Sequence, residues 1–123
     1  MSQGALLING TWVQGQGTAF TKTNPVTNQT IWSGHEASKT DVDHACLVAR
    51  QAFPAWARLD LEDRVAIIER FAALLEQNKS QLAEVISQET SKPFWETLTE
   101  VQAMIGKIAI SIRAYHQIGR AHV

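Results

Sequence analysis

In Leu98-Thr99-Glu100-Val101-Gln102-Ala103-Met104-Ile105-Gly106-Lys107-Ile108-Ala109-Ile110-Ser111-Ile112-Arg113-Ala114-Tyr115, the residues Leu98, Val101, Ile105, Ile108, Ile112 and Tyr115 recur at steps of three and four. That spacing lines large side chains along one face of an α-helix. Full burial of each is worth roughly 1.5–3 kcal/mol, so the stripe represents on the order of 10 kcal/mol that only further packing elements can supply. The chain instead continues His116-Gln117-Ile118-Gly119-Arg120-Ala121-His122-Val123. The expectation is a set of helices with a poorly covered core.

The residues before the stripe divide into two regions. Up to about Gly34 the chain is rich in Thr, Gly and Asn. Leu6-Leu7-Ile8, Asn9-Gly10 and Thr11-Trp12-Val13 read as a hairpin, because Asn-Gly tolerates the positive φ angles of a tight type I′ turn. Phe20–Thr23 and Thr30–Trp32 flank Asn24-Pro25-Val26-Thr27-Asn28-Gln29 as a second turn-bounded pair. From Ser38 the period changes to 3.6. Thr40 is expected to cap a helix with Asp41 and Asp43 in its first turn, where carboxylates oppose the helix dipole. Val42, Ala45, Cys46, Ala49, Phe53 and Trp56 form its apolar face, and Pro54 is expected to loosen or end it. Asp60 is expected to cap a second helix (Val65, Ile68, Phe71, Ala72, Leu75) and Ser80 a third (Leu82, Val85, Ile86). Thr90-Ser91-Lys92-Pro93 ends the third, and the striped helix starts near Phe94. The expected organisation is strands over about 5–34 and helices over about 40–117.

Composition narrows the function classes. A net charge of -1 without runs of like charge offers no footprint for nucleic acid or anionic lipid. Apolar stretches are broken by Glu69, Arg70, Lys107 and Arg113, so no segment reads as membrane-spanning. Met1-Ser2-Gln3-Gly4 lacks the pattern of a secretory signal, and a cytoplasmic location is expected. One cysteine, Cys46, fits a reducing compartment.

The reactive residue types form no constellation. Cys46, beside Ala45, Leu47 and Val48 on an apolar face, reads as a small core residue rather than a nucleophile. His35, His44, His116 and His122 show no pair at metal-ligand spacing. Gly15-Gln16-Gly17 has Phe20 where a dinucleotide-binding motif needs a third glycine, so it reads as a loop. Asp41 with Asp43, and Glu62 with Asp63, read as first-turn dipole compensation rather than acid–base pairs. Trp12, Trp32, Trp56 and Trp95 fall on separate elements and read as core or interface anchors. No catalytic, cofactor-binding or metal residue is assigned.

Longer matches carry a resemblance. Ile8-Asn9-Gly10-x-Trp12, Asn24-Pro25-x-Thr27, the Ala/Phe-rich helix ending at Trp56, Leu74-Leu75-Glu76 and Glu89-Thr90-Ser91-Lys92-Pro93 stand in the order and approximate spacing found in aldehyde dehydrogenases. The chain resembles that family to Gln117. Ala52-Phe53-Pro54-x-Trp56-Ala57-Arg58-Leu59, Glu69-Arg70-Phe71-Ala72, Thr99-Glu100-Val101-x-Ala103-Met104-Ile105 and Lys107–His116 are similar to the branch of bacterial arginine breakdown that oxidises N-succinylglutamate 5-semialdehyde.

The resemblance implies a large α/β enzyme with a Rossmann-like NAD domain, of which this chain is an N-terminal fragment: short strands, then about four helices. It implies a small-molecule aldehyde substrate, NAD and a homo-oligomer for the parent, with no nucleic-acid or membrane partner. In the family a cysteine thiolate attacks the aldehyde, hydride passes to NAD, and a glutamate-activated water hydrolyses the thioester. Those residues lie beyond position 117, and Cys46 does not align with the nucleophile, so the 123-residue chain is expected to be inactive and to bind no NAD. The family usually has Gly where Ser91 stands, which would make the turn stiffer if it requires positive φ. Some members hold a structural monovalent cation near positions equivalent to Thr23 and Glu89; no site is assigned here. The alternatives are a self-contained helical interaction module and an aldehyde dehydrogenase of another substrate class. Residues 118–123 depart from the family in mid-helix and coincide with the translation of a sequencing adapter, ATC GGA AGA GCA CAC GTC. They are expected to be non-native, which would remove His122 from consideration.

Overall fold

The computed structural model describes residues 4–118; His122 and the rest of the suspected tail beyond Ile118 lie outside them. The element order is β1 (Leu6–Ile8), β2 (Thr11–Val13), β3 (Ala19–Thr23), β4 (Thr30–His35), α1 (Lys39–Arg58), α2 (Leu61–Gln77), α3 (Lys79–Thr90) and α4 (Phe94–Ile118). Residues 1–58 and 59–123 form two separate compact units.

In the first unit β1 and β2 pair antiparallel, Leu6 opposite Val13, Leu7 opposite Trp12 and Ile8 opposite Thr11. Asn9 at φ 52° and Gly10 at φ 74° make the tight turn that their sequence demanded. The register turns Leu6, Ile8 and Val13 inward and leaves Leu7 and Trp12 exposed together. β3 and β4 pair antiparallel with an irregularity at Lys22/Thr23. Their connection is built on Asn24: its Oδ1 accepts from the amides of Val26 (2.9 Å) and Thr27 (3.2 Å), and its carbonyl accepts from the Asn28 amide. Phe20 and Trp32 meet edge to face at 5.2 Å across this pair.

α1 starts earlier than the sequence suggested. Ser38, not Thr40, caps it: Ser38 Oγ accepts from the Asp41 amide (3.2 Å), while the Asp41 carboxylate accepts from the Ser38 amide (2.8 Å). This reciprocal pair is a capping box, with aspartate in the place glutamate often takes. Pro54 does not end the helix, which continues to Arg58. Proline removes one amide donor, and residues 51–58 are all exposed, so water is at hand for the freed carbonyl. The same exposure overturns the core reading of Cys46, which is exposed, as are Val42 and Phe53 on the same face.

In the second unit Asp60 takes the cap position of α2 without a side-chain cap bond. Ser80 falls inside α3; the cap position belongs to Asn78, whose Nδ2 donates to the Leu74 carbonyl instead. α4 packs on α3 and α2. The stripe faces this contact, with Val101 and its neighbour Thr97 fully buried and Leu98, Ile105, Ile108 and Ile112 half-buried. Thr97 satisfies its hydroxyl internally on the Phe94 carbonyl at 3.0 Å. Tyr115, the last member of the stripe, is exposed.

The core is small. Among the described residues the buried apolar side chains are Ile8, Ala83 and Val101, while Trp95 is 69% exposed and Phe53, Phe71 and Met104 also face solvent.

Candidate functional site

The most highly organised polar group is Asp41, only 8% exposed at the start of α1. Its Oδ2 accepts from the Gln16 amide (2.9 Å), the Ser38 amide (2.8 Å) and Ser38 Oγ (2.8 Å). The Gln16 amide, then the Ser38 amide and hydroxyl, hold the carboxyl below its ordinary value, against the opposing effect of burial. The arrangement ties the Gly15–Gly17 loop to the first turn of α1. A β-carbon on Gly15 would come within 2.3 Å of the Glu36 carbonyl oxygen, and one on Gly17 within 2.7 Å. The glycines are there for that close approach, and the Gly17 amide is itself bonded to the Glu36 carbonyl at 2.8 Å.

This geometry tests whether these residues could cradle a dinucleotide. They do not fit one. A phosphate at a glycine-rich loop and helix N-terminus needs free amides and an unopposed helix dipole. Here the amides of Gln16 and Gly17 are already engaged, and the Asp41 carboxylate occupies the anion's place.

The Glu89–Pro93 segment forms the second polar centre. α3 closes on Ser91, which takes the left-handed conformation (φ 63°, ψ 16°) and donates its amide to the Ser87 carbonyl at 2.8 Å. Ser87 Oγ donates to the Lys92 carbonyl at 2.7 Å, and Thr90 Oγ1 to the Ile86 carbonyl at 2.7 Å. Lys92 Nζ bonds Glu100 and lies 3.7 Å from Glu96. These carboxylates, Glu100 foremost, raise the ammonium above its usual range, so the lysine is held charged and suits a structural tie rather than proton transfer. Lys79 similarly reaches Gln102 and binds α3 to α4.

The remaining candidates are spread over several elements. Cys46 sits in mid-helix on α1, away from the N-terminal turn that favours a thiolate. Gln14 Nε2 lies 2.8 Å from His35 Nδ1, in a cleft of about 530 Å³ between the hairpins. His44 lies on α1 and His116 on α4, and Thr23 ends β3 while Glu89 lies near the end of α3. No three His, Cys, Asp or Glu side chains gather to hold a metal among the described residues. None of their helices is long and apolar enough to cross a membrane. Trp12, Trp56 and Trp95 are exposed, which removes the core half of their expected role. An apolar groove of about 490 Å³ runs between α2 and α4, lined by Ile68, Phe71, Leu75, Met104 and Ile108. Asp41's tie to Gln16 was not foreseen. Ser38-x-x-Asp41 carried the signal for the cap, but nothing local pointed to a loop 25 residues away.

Comparison with known proteins adds what the side chains lack. The family model for the aldehyde dehydrogenase family matches residues 12–123. The N-succinylglutamate 5-semialdehyde dehydrogenase of Acinetobacter baylyi is 64% identical over 117 residues, covering 95% of this chain and 24% of that protein. Among solved structures, an NAD-dependent benzaldehyde dehydrogenase from Corynebacterium glutamicum superposes with a TM-score of 0.83 at 29% identity, over 90% of this chain and 24% of that one. The NADP-dependent glyceraldehyde-3-phosphate dehydrogenase from Bacillus halodurans gives 0.80 at 27% identity, over 85% and 22%. The chain thus spans about a quarter of the length of the proteins it matches.

Proposed function

The chain belongs to the aldehyde dehydrogenase family, and from that premise we propose that it is the N-terminal segment of an enzyme that oxidises N-succinylglutamate 5-semialdehyde to N-succinylglutamate with NAD. The observation that carries this reading is the 64% identity to the Acinetobacter enzyme over 117 residues. Identity to the two solved family members named above, which have other substrates, is much lower, 29% and 27%, so the likeness is to one branch rather than to the fold alone. In this reading the parent is a cytoplasmic homo-oligomer of arginine breakdown.

The segment's own contribution is structural. Its hairpins and capped helices supply framework, the Asp41 and Lys92 ties each fix a loop to a helix, the Lys79–Gln102 bond joins α3 to α4, and nucleophile, general base and nicotinamide contacts come from the rest of the parent. The misfit of the Gly15–Gly17 loop to a dinucleotide, and the mid-helix position of Cys46, support assigning no catalytic or cofactor role to these residues. The exposed apolar faces are consistent with helices that serve inside a larger protein.

Two measurements test the reading. The gene is sequenced from genomic DNA through and beyond codon 117; the expected result is family sequence in place of the Ile118–Val123 codons, and the same tail in genomic DNA would overturn the adapter origin. The protein encoded by that gene is then assayed for NADH formation with N-succinylglutamate 5-semialdehyde and with simple aliphatic aldehydes. A clear preference for the succinylated substrate is expected. Equal or better kcat/KM on the simple aldehydes would refute the substrate, and NADH formation by the 123-residue chain alone would refute its inactivity.

A further inference from the structure

We draw no further inference here: the strongest candidate, the apolar groove between α2 and α4 lined by Ile68, Phe71, Leu75, Met104 and Ile108, carries nothing beyond the reading just given because nothing in the structure shows which segment or second molecule covers it.

Discussion

Replacing Ser91 by glycine should stabilise the end of α3. Ser91 holds φ 63° and ψ 16°, the left-handed conformation at a helix terminus, where a side chain costs about 1–2 kcal/mol because its β-carbon crowds the backbone. Glycine removes that cost but has more backbone freedom to lose, which returns about 0.5–1 kcal/mol. The net gain is about 0.5–1 kcal/mol. The Ser91 side chain is exposed, and the bond that closes the turn comes from its amide, which glycine keeps. Local opening of the last turn should become rarer, so exchange of the Gln88, Glu89 and Thr90 amides should slow about two- to fivefold. Hydrogen–deuterium exchange of the chain and its S91G variant reads this without requiring a global transition. S91A keeps the β-carbon and should leave exchange unchanged. Exchange no slower in S91G than in the parent chain, or slowed equally by S91A, would refute the strain argument.

Three further outcomes follow from the same geometry. Because the folded Asp41 carboxyl titrates below its ordinary value, its contribution is present above the unfolded value of 3.8 and is lost as pH falls through the lower folded one; the Gln16 amide resonance should track that acidic transition, and a midpoint at or above 3.8 would contradict the assignment. Cys46, exposed on α1, should react with a thiol reagent to one equivalent per chain without denaturant, and a requirement for urea would show that it is buried. The isolated chain should bind a hydrophobic dye and melt over a broad range; a monomer that melts cooperatively and binds no dye would favour the self-contained module.

What could be read from the residues depended on the range of the forces involved. The Asn9-Gly10 hairpin and the number and order of helices follow from backbone preference and side-chain periodicity, which act over a few residues, and both appear as expected. Helix starts were less legible. Thr40 and Ser80 are chemically competent caps, yet Ser38 and Asn78 take the positions: Ser38 has a reciprocal partner in Asp41, while Asn78 must both end α2 and begin α3. Cys46 failed differently. Apolar neighbours mark a face that wants burial, but burial requires a surface opposite, and that is no local property. Spacing and residue type led to no catalytic assignment, and the reaction class could be read only by likeness to longer relatives.

The two-unit organisation also sets a schedule for synthesis. The Asp41–Gln16 tie and both hairpins draw only on residues before 59, so the first unit can assemble as soon as that stretch leaves the ribosome. In a protein of the relatives' length about 370 residues follow, which at 5–20 residues per second takes roughly 20–70 s. In this chain taken alone Phe53, Phe71, Trp95 and Met104 face water. The capping box that starts α1 is closed by residues three apart, so it can form before any later segment is made.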